Sequence, residues 1–198
     1  MKRKILFGFA SVMMLVFFAG CGKVPQEQMD AATLAIEEAR LAEADIYAPA
    51  EYAALMDSLS VAMAAVETQK SKTFKNFKEP KLQLERIAAS AVLVQEQAAE
   101  AKEEVRMETE ALISQVNGLI AETKDLMLQA PKGKEGAAAL ELIRNEMTVV
   151  EGSVAEASDL FIQENYMAAR DKVKAAMENV MAINAELQEA IAKSKGRK

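Results

Sequence analysis

The chain has 198 residues, of which 24 are basic and 30 acidic, and it contains neither histidine nor tryptophan. Histidine is the most common general base and metal ligand, and the single cysteine has no second thiol, so composition argues against acid–base catalysis, a zinc cluster and an internal disulfide. The net charge of -6 argues against nucleic acid as the main partner, and the abundance of strong helix formers predicts an all-α fold.

The first 21 residues have the layout of an export signal. Lys2, Arg3 and Lys4 open the chain, and an apolar run over Ile5–Ala19 follows. This run is shorter than the ~20 residues that a membrane-spanning helix needs. Small residues then lead into the only cysteine, Cys21. An uncleaved membrane anchor and a plain secretory signal with an incidental cysteine are the alternative interpretations.

The motif Phe18-Ala19-Gly20-Cys21 resembles the lipobox of bacterial lipoproteins. That resemblance implies loss of residues 1–20 as a signal peptide, cleavage between Gly20 and Cys21, and a covalent lipid on Cys21. It also implies a location in the bacterial cell envelope. Because Gly22 follows the cysteine, where an aspartate would mark retention in the inner membrane, the resemblance implies the outer membrane, facing the periplasm.

Two helices are predicted after a linker of residues 21–26. The first covers about residues 27–46, and a break at Tyr47-Ala48-Pro49-Ala50-Glu51 starts the second, which ends near Lys70. Residues 31–65, which contain this Tyr-Ala-Pro-x-Glu step, resemble an uncharacterised family of Ala/Glu-rich helical domains in bacterial lipoproteins, and the likeness implies no catalytic residue. With the first half of the next helix, these two helices form a predicted three-helix bundle over residues 27–105.

A basic patch follows the second helix. Phe74 and Phe77 interleave with its lysines, which are Lys70, Lys72, Lys75, Lys78 and Lys81. Such a patch can bind nucleic acid or an anionic surface. Alternatively, it is a connection whose phenylalanines close the end of the bundle while its lysines stay in water. We favour the second interpretation, because charged runs at connections are usually solvated.

One long helix is predicted over roughly residues 80–130. Apolar residues recur at every seventh position from Leu84 to Leu126, but the residues that complete the apolar face change near Val105. The two halves of this central helix are therefore expected to face different partners. Asn117-Gly118 predicts a tolerated kink within the helix.

Two further helices are predicted after a loop at residues 131–136, with a turn near Gln163-Glu164-Asn165 between them. They complete a second three-helix bundle over residues 106–192 that shares the central helix. The apolar positions of the two halves follow similar patterns, which indicates an internal repeat. Glu164–Ala169 is similar to the turn of tetratricopeptide-type hairpins. The predicted architecture is an elongated antiparallel bundle of about five helices.

Residues 193–198 form a basic tail that ends in Arg197-Lys198. A lipidated helical chain with this ending resembles the Braun-type outer-membrane lipoprotein, and the likeness implies attachment of the Lys198 side-chain amine to peptidoglycan. The alternative is a frayed tail whose cations favour the negative end of the last helix. An antiparallel bundle would place Lys198 at the end distal to Cys21.

These patterns predict a membrane-anchored structural or scaffolding lipoprotein without catalytic residues. The most specific version of this prediction is a tether between the membrane and the cell wall. The alternative is a helical interaction module that recruits an envelope protein or peptide. We expect the membrane as one partner, through the lipid on Cys21, and peptidoglycan or an envelope protein as another. No nucleic acid, small-molecule substrate, cofactor or metal is expected.

Overall fold

The computed structural model describes residues 22–131 and 134–195, and these ranges are helical without any strand. The helices are α1 (Gln26–Leu41), α2 (Ala44–Tyr47), α3 (Pro49–Lys70), α4 (Lys78–Gln129), α5 (Lys134–Ile162) and α6 (Tyr166–Lys195). The predicted all-α bundle with one long central helix is confirmed, and α4 is that helix.

The predicted first helix, residues 27–46, is interrupted. α1 ends at Leu41, and the single-turn helix α2 follows Glu43, whose φ of 61° lies in the left-handed region. The N–H groups of Ala42 and Glu43 donate to the carbonyls of Glu38 and Arg40, which closes the last turn of α1. No glycine or proline marks this interruption, so the sequence pattern did not predict it.

Helix α4 has 52 residues, which at ~1.5 Å per residue is a length of about 78 Å. It begins beside the buried Phe77, and Pro80 occupies its first turn, where a missing N–H costs nothing. Asn117-Gly118 does not end the helix, and the Asn117 side-chain amide donates to the Ile113 carbonyl at 2.9 Å.

The helices run alternately along α4. α1 lies beside the first half of α4 and ends level with Lys102, which contacts Glu43. α6 starts beside Thr109 and reaches Asn184 opposite Thr123, so it follows the second half in the direction of α4. α3 and α5 run in the opposite direction and connect these helices. Since α1 and α6 both run in the direction of α4, the described chain enters at one end of the bundle and leaves at the opposite end.

The apolar side chains form two separate cores along α4. The first core consists of Ala32, Ile36, Ala39, Ala44, Ala48, Leu55, Ala62, Val66, Phe77, Leu84, Ile87, Ala91, Val94 and Ala98. The second core consists of Val116, Ile120, Ala130, Leu140, Met147, Val150, Val154, Ala157, Val173, Ala176, Val180, Ile183, Leu187 and Ile191.

The two cores are separated on α4 by the stretch between Ala98 and Val116. A buried threonine, Thr109, lies in this stretch and donates its hydroxyl to the Val105 carbonyl at 2.6 Å. The change of face expected near Val105 is therefore the point at which α4 passes from one group of helices to the other. Independent folding of residues 27–105 and 106–192 stays a prediction.

Candidate functional site

The stretch of α4 between the two cores carries a cluster of charges that joins both halves of the protein. The Lys102 Nζ lies 2.5 Å from a carboxylate oxygen of Glu43, in the turn after α1. The same Nζ lies 3.6 Å from a carboxylate oxygen of Glu164, in the turn after α5. We call Glu43, Lys102 and Glu164 the waist cluster, because one lysine contacts a turn from each half.

Both glutamates of the waist cluster have a left-handed backbone, with φ of 61° at each. At the second turn, the N–H groups of Glu164 and Asn165 donate to the carbonyls of Phe161 and Leu160, the pattern of a helix C-terminal Schellman motif. Glycine is the usual residue in this position, and a residue with a Cβ costs roughly 1–2 kcal/mol there. The turns at Glu43 and Glu164 thus both adopt this unfavourable conformation, and both place a carboxylate near Lys102.

Aromatic rings lie beside the waist cluster. The Lys102 Nζ lies 5.8 Å from the centre of the Tyr166 ring, which in turn lies 5.1 Å from the Phe161 ring. Burial, followed by the negative charge of Glu43, raises the pKa of Tyr47 above its ordinary value. The hydrogen bond that Lys102 donates to Glu43 is the main cause of the raised pKa of Lys102. The lysine therefore stays charged and paired at neutral pH.

A second group of ion pairs lies just beyond the waist cluster on the side of the second core. Glu108 of α4 accepts from Lys174 at 2.6 Å and lies 3.7 Å from Arg170, both on α6. The hydrogen bond from Lys174 is the main cause of the lowered pKa of the Glu108 carboxyl. These contacts fix α6 on α4 at the point where α6 begins.

The arrangement at the waist is suited to holding helices together. Each charged group named there is paired, and the adjoining surface depression, lined by Leu41, Ala99 and Tyr166, is shallow and open. Across residues 22–131 and 134–195, no three histidine, cysteine, aspartate or glutamate side chains are placed to hold a metal ion. Nor does any helix of these ranges have the length and apolar character to cross a bilayer.

The predicted basic patch lies in the connection between α3 and α4. Lys70 pairs with Glu67 at 2.6 Å, and Lys81 lies 3.8 Å from Glu85. Phe77 closes the end of the first core and is 4% exposed, whereas Phe74 is 92% exposed. The interpretation that both phenylalanines close the bundle is therefore correct for Phe77 and wrong for Phe74.

The residues predicted to carry the lipid and the wall attachment are not part of the described structure. Gly20, Cys21 and Lys198 lie outside the described residues, and the predictions about them stay predictions. The waist cluster was not predicted. Its one sequence signal is the charge of Lys102, four residues after the buried Ala98 and thus on the apolar face of α4.

Comparisons with protein-family models, with curated proteins and with solved structures find no match to this chain.

The two left-handed glutamates allow a matched test of the waist cluster. We expect Glu164→Gly to raise the free energy of unfolding by up to about 1 kcal/mol, because glycine removes the left-handed penalty and the lost contact is long and exposed. Glu43→Gly gains the same relief but loses a short, part-buried ion pair, so it should be less stable than Glu164→Gly. Urea unfolding followed by circular dichroism measures both, and equal effects of the two substitutions would contradict a role for the Glu43–Lys102 pair.

Proposed function

We propose that this protein is a non-catalytic, lipid-anchored spacer of the bacterial cell envelope, held in the membrane at one end and reaching the cell wall at the other. The observation that carries the proposal is the continuous α4, about 78 Å long at ~1.5 Å per residue, which runs through both groups of helices. A spacer needs ends that lie far apart, and the described chain enters and leaves at opposite ends of this helix.

The interactions along α4 support a stiff spacer. Each half of α4 is covered by its own buried core, and the waist cluster joins turns from both halves where no apolar core continues. Ion pairs from Glu108 to Lys174 and Arg170 hold α6 beside this same region. Because α4 also continues unbroken through this region, the geometry favours a rod over two freely jointed domains.

The two ends carry the groups that a spacer would use. The lipobox-like motif before Cys21 supplies the membrane attachment, and the entry of the described chain lies at the start of α4. α6 leaves the described structure on the side where α4 ends, and the sequence that follows it ends in Lys198. A lysine side-chain amine is the nucleophile that the Braun-type likeness assigns to wall attachment.

The anchor is tested by Cys21→Ser. We expect loss of fatty-acid labelling and accumulation of unprocessed precursor or released protein, because serine cannot form the thioether to lipid. If the serine variant still labels with fatty acid and still sediments with membranes, the lipid anchor is wrong.

The wall attachment is tested by deleting Lys198 and boiling sacculi in detergent, followed by release of bound protein with a muramidase. We expect wild-type protein in the sacculus fraction and none after the deletion. Lys193→Ala is the matched control, because it removes a cation of the same tail and leaves the terminal residue intact. Absence of both wild type and deletion variant from the sacculus would exclude covalent attachment.

An interaction module is the second candidate function, and the outer face of α3 is the observation that favours it. Between Tyr52 and Val66, α3 carries only one charged residue, Asp57. Met56 is 46% exposed and Val61 is 64% exposed, although both are apolar. Such a face is suited to an apolar partner surface.

A photocrosslinking amino acid in place of Val61 distinguishes this module from a plain spacer. An adduct with one envelope protein at position 61, absent from a matched probe at Leu142 of α5, would support the module. Leu142 is a suitable control because it is also 64% exposed and lies in the other half of the protein. No adduct at either position would leave the spacer as the better description.

A further inference from the structure

The connection between α3 and α4 presents an aromatic ring to solvent at one end of the protein. We call residues 71–77 the tip loop. Phe74 is 92% exposed, although the neighbouring Phe77 is buried in the first core. Phe77 and the buried Pro80 hold the base of the loop against the bundle, so Phe74 projects from a fixed support.

Cations flank the exposed ring. Lys72 and Lys75 lie within the tip loop, and Lys78 follows at the start of α4. Within the ranges that the structure describes, no carboxylate oxygen comes within 4.0 Å of these three amines, whereas Lys70 and Lys81 have acidic neighbours. A chain with a net charge of -6 thus has a local positive surface around the exposed Phe74.

The tip loop lies at the end where the described chain enters. From Lys102 back to Lys78, α4 rises about 36 Å, at ~1.5 Å per residue. From Leu41 back to Gln26, α1 rises about 22 Å at the same ~1.5 Å per residue. Residues 22–25 precede α1 and are not extended, because Gly22 lies in a turn and the Gln26 N–H donates to the Val24 carbonyl at 2.9 Å. The entry of the described chain therefore lies at the same end of the first core as the tip loop, and a lipid on the preceding residue would hold this end at the membrane.

We propose that the tip loop docks on an anionic phospholipid surface, with the Phe74 ring among the headgroups and Lys72, Lys75 and Lys78 against lipid phosphates. This inference rests on the proposed lipid anchor. A lipid on a short linker keeps the protein at the membrane but does not fix its orientation. A second contact at the tip loop would hold α4 perpendicular to the membrane surface. Aromatic rings are favoured at the membrane interface, and basic residues are attracted to anionic headgroups.

The absence of tryptophan from the chain provides a clean reporter. Phe74→Trp places one indole at the tip, and Leu128→Trp is the matched control, because Leu128 is 73% exposed near the other end of α4. Both variants are purified as full protein from their own membranes, and their acylation is measured by mass. They are then reconstituted into vesicles of phosphatidylcholine alone or with one third phosphatidylglycerol.

We expect the indole emission of the Phe74→Trp variant to move to shorter wavelength, with reduced quenching by iodide, in vesicles that contain phosphatidylglycerol and not in neutral vesicles. The indole of the Leu128→Trp variant should stay solvent-exposed in both. Adding Lys72→Gln and Lys75→Gln to Phe74→Trp should weaken docking by about 25-fold, at about fivefold for each lysine near an anionic surface. Lys172→Gln with Lys193→Gln makes the same change in net charge on α6 and should leave the signal from the tip indole unchanged.

The outcomes separate the tip loop from the anchor. If acylated protein sits on the vesicles but the tip indole remains as exposed as the indole of the control variant, docking of the tip loop is wrong and the anchor stands. If the protein carries no lipid but the tip indole still shifts on anionic vesicles, the anchor is wrong and docking stands. A shift of the tip indole with purified sacculi and none with vesicles would also overturn docking on phospholipid.

Discussion

Leu84→Ala is expected to lower the free energy of unfolding of the first half by about 2–5 kcal/mol, the usual loss for a buried leucine truncated to alanine. Leu84 is 0% exposed and lies in the first core, where α4 meets α1 and α3. The removed side chain leaves a cavity among helices that form a small core. This is one of the two largest single-site effects that we expect in the protein.

Leu187→Ala is the matched substitution in the second core, because Leu187 is 1% exposed and lies on α6. Amide hydrogen exchange measured by mass spectrometry reports on the two halves separately. We expect Leu84→Ala to lose protection mainly over residues 26–98 and Leu187→Ala mainly over residues 116–191, because the cores share no buried side chain. Equal loss of protection over both halves in either variant would show that α4 couples the bundles into one cooperative unit.

Thr123→Val is expected to cost about 1–3 kcal/mol, because it leaves a buried amide donor without an acceptor. Thr123 is 0% exposed, and its hydroxyl accepts a hydrogen bond of 3.2 Å from the Asn184 side-chain amide across the α4–α6 interface. Valine keeps the shape of threonine but offers no oxygen. Asn184 is 7% exposed, so water replaces the lost partner poorly.

The double variant Thr123→Val with Asn184→Leu tests this reasoning. Removing both polar groups leaves no buried donor unsatisfied, and Gln188, which bonds to Asn184 at 2.6 Å, is exposed enough to turn to water. We therefore expect the double variant to recover most of the stability lost in Thr123→Val. Urea unfolding measures both, and a double variant at least as unstable as the sum of its parts would mean that packing, not the hydrogen bond, determines the loss.

The helices and much of both cores were predictable from apolar spacing. Leu84 and Ala98 on α4 are buried in the first core, as the sevenfold spacing predicts, while Val116 and Ile120 complete the face in the second half. Amphipathic periodicity reports which side of a helix is covered, and both halves of α4 have a clear periodicity. The shift of face near Val105 indicated in advance that two groups of helices share one axis.

The turns and the exposed ring were not predictable in the same way. Glu43 and Glu164 adopt a left-handed backbone that local preference assigns to glycine, and a carboxylate reaching a lysine 59 residues away along the chain leaves no local signal. Phe74 and Phe77 have the same side chain three residues apart, yet one is exposed and the other buried. The path of the connecting loop determines which of the two rings is buried, and that path depends on tertiary contacts.

The shared direction of α1, α4 and α6 has a mechanical consequence. If the two ends of the protein are pulled apart, α1 and α6 are loaded in shear along α4, because each lies lengthwise against a different half of it. In shear, all the contacts of an interface resist together, whereas in peeling they fail one after another. α4 thus acts as a continuous support that carries one shear-loaded interface on each half, and Lys102 lies between the two interfaces.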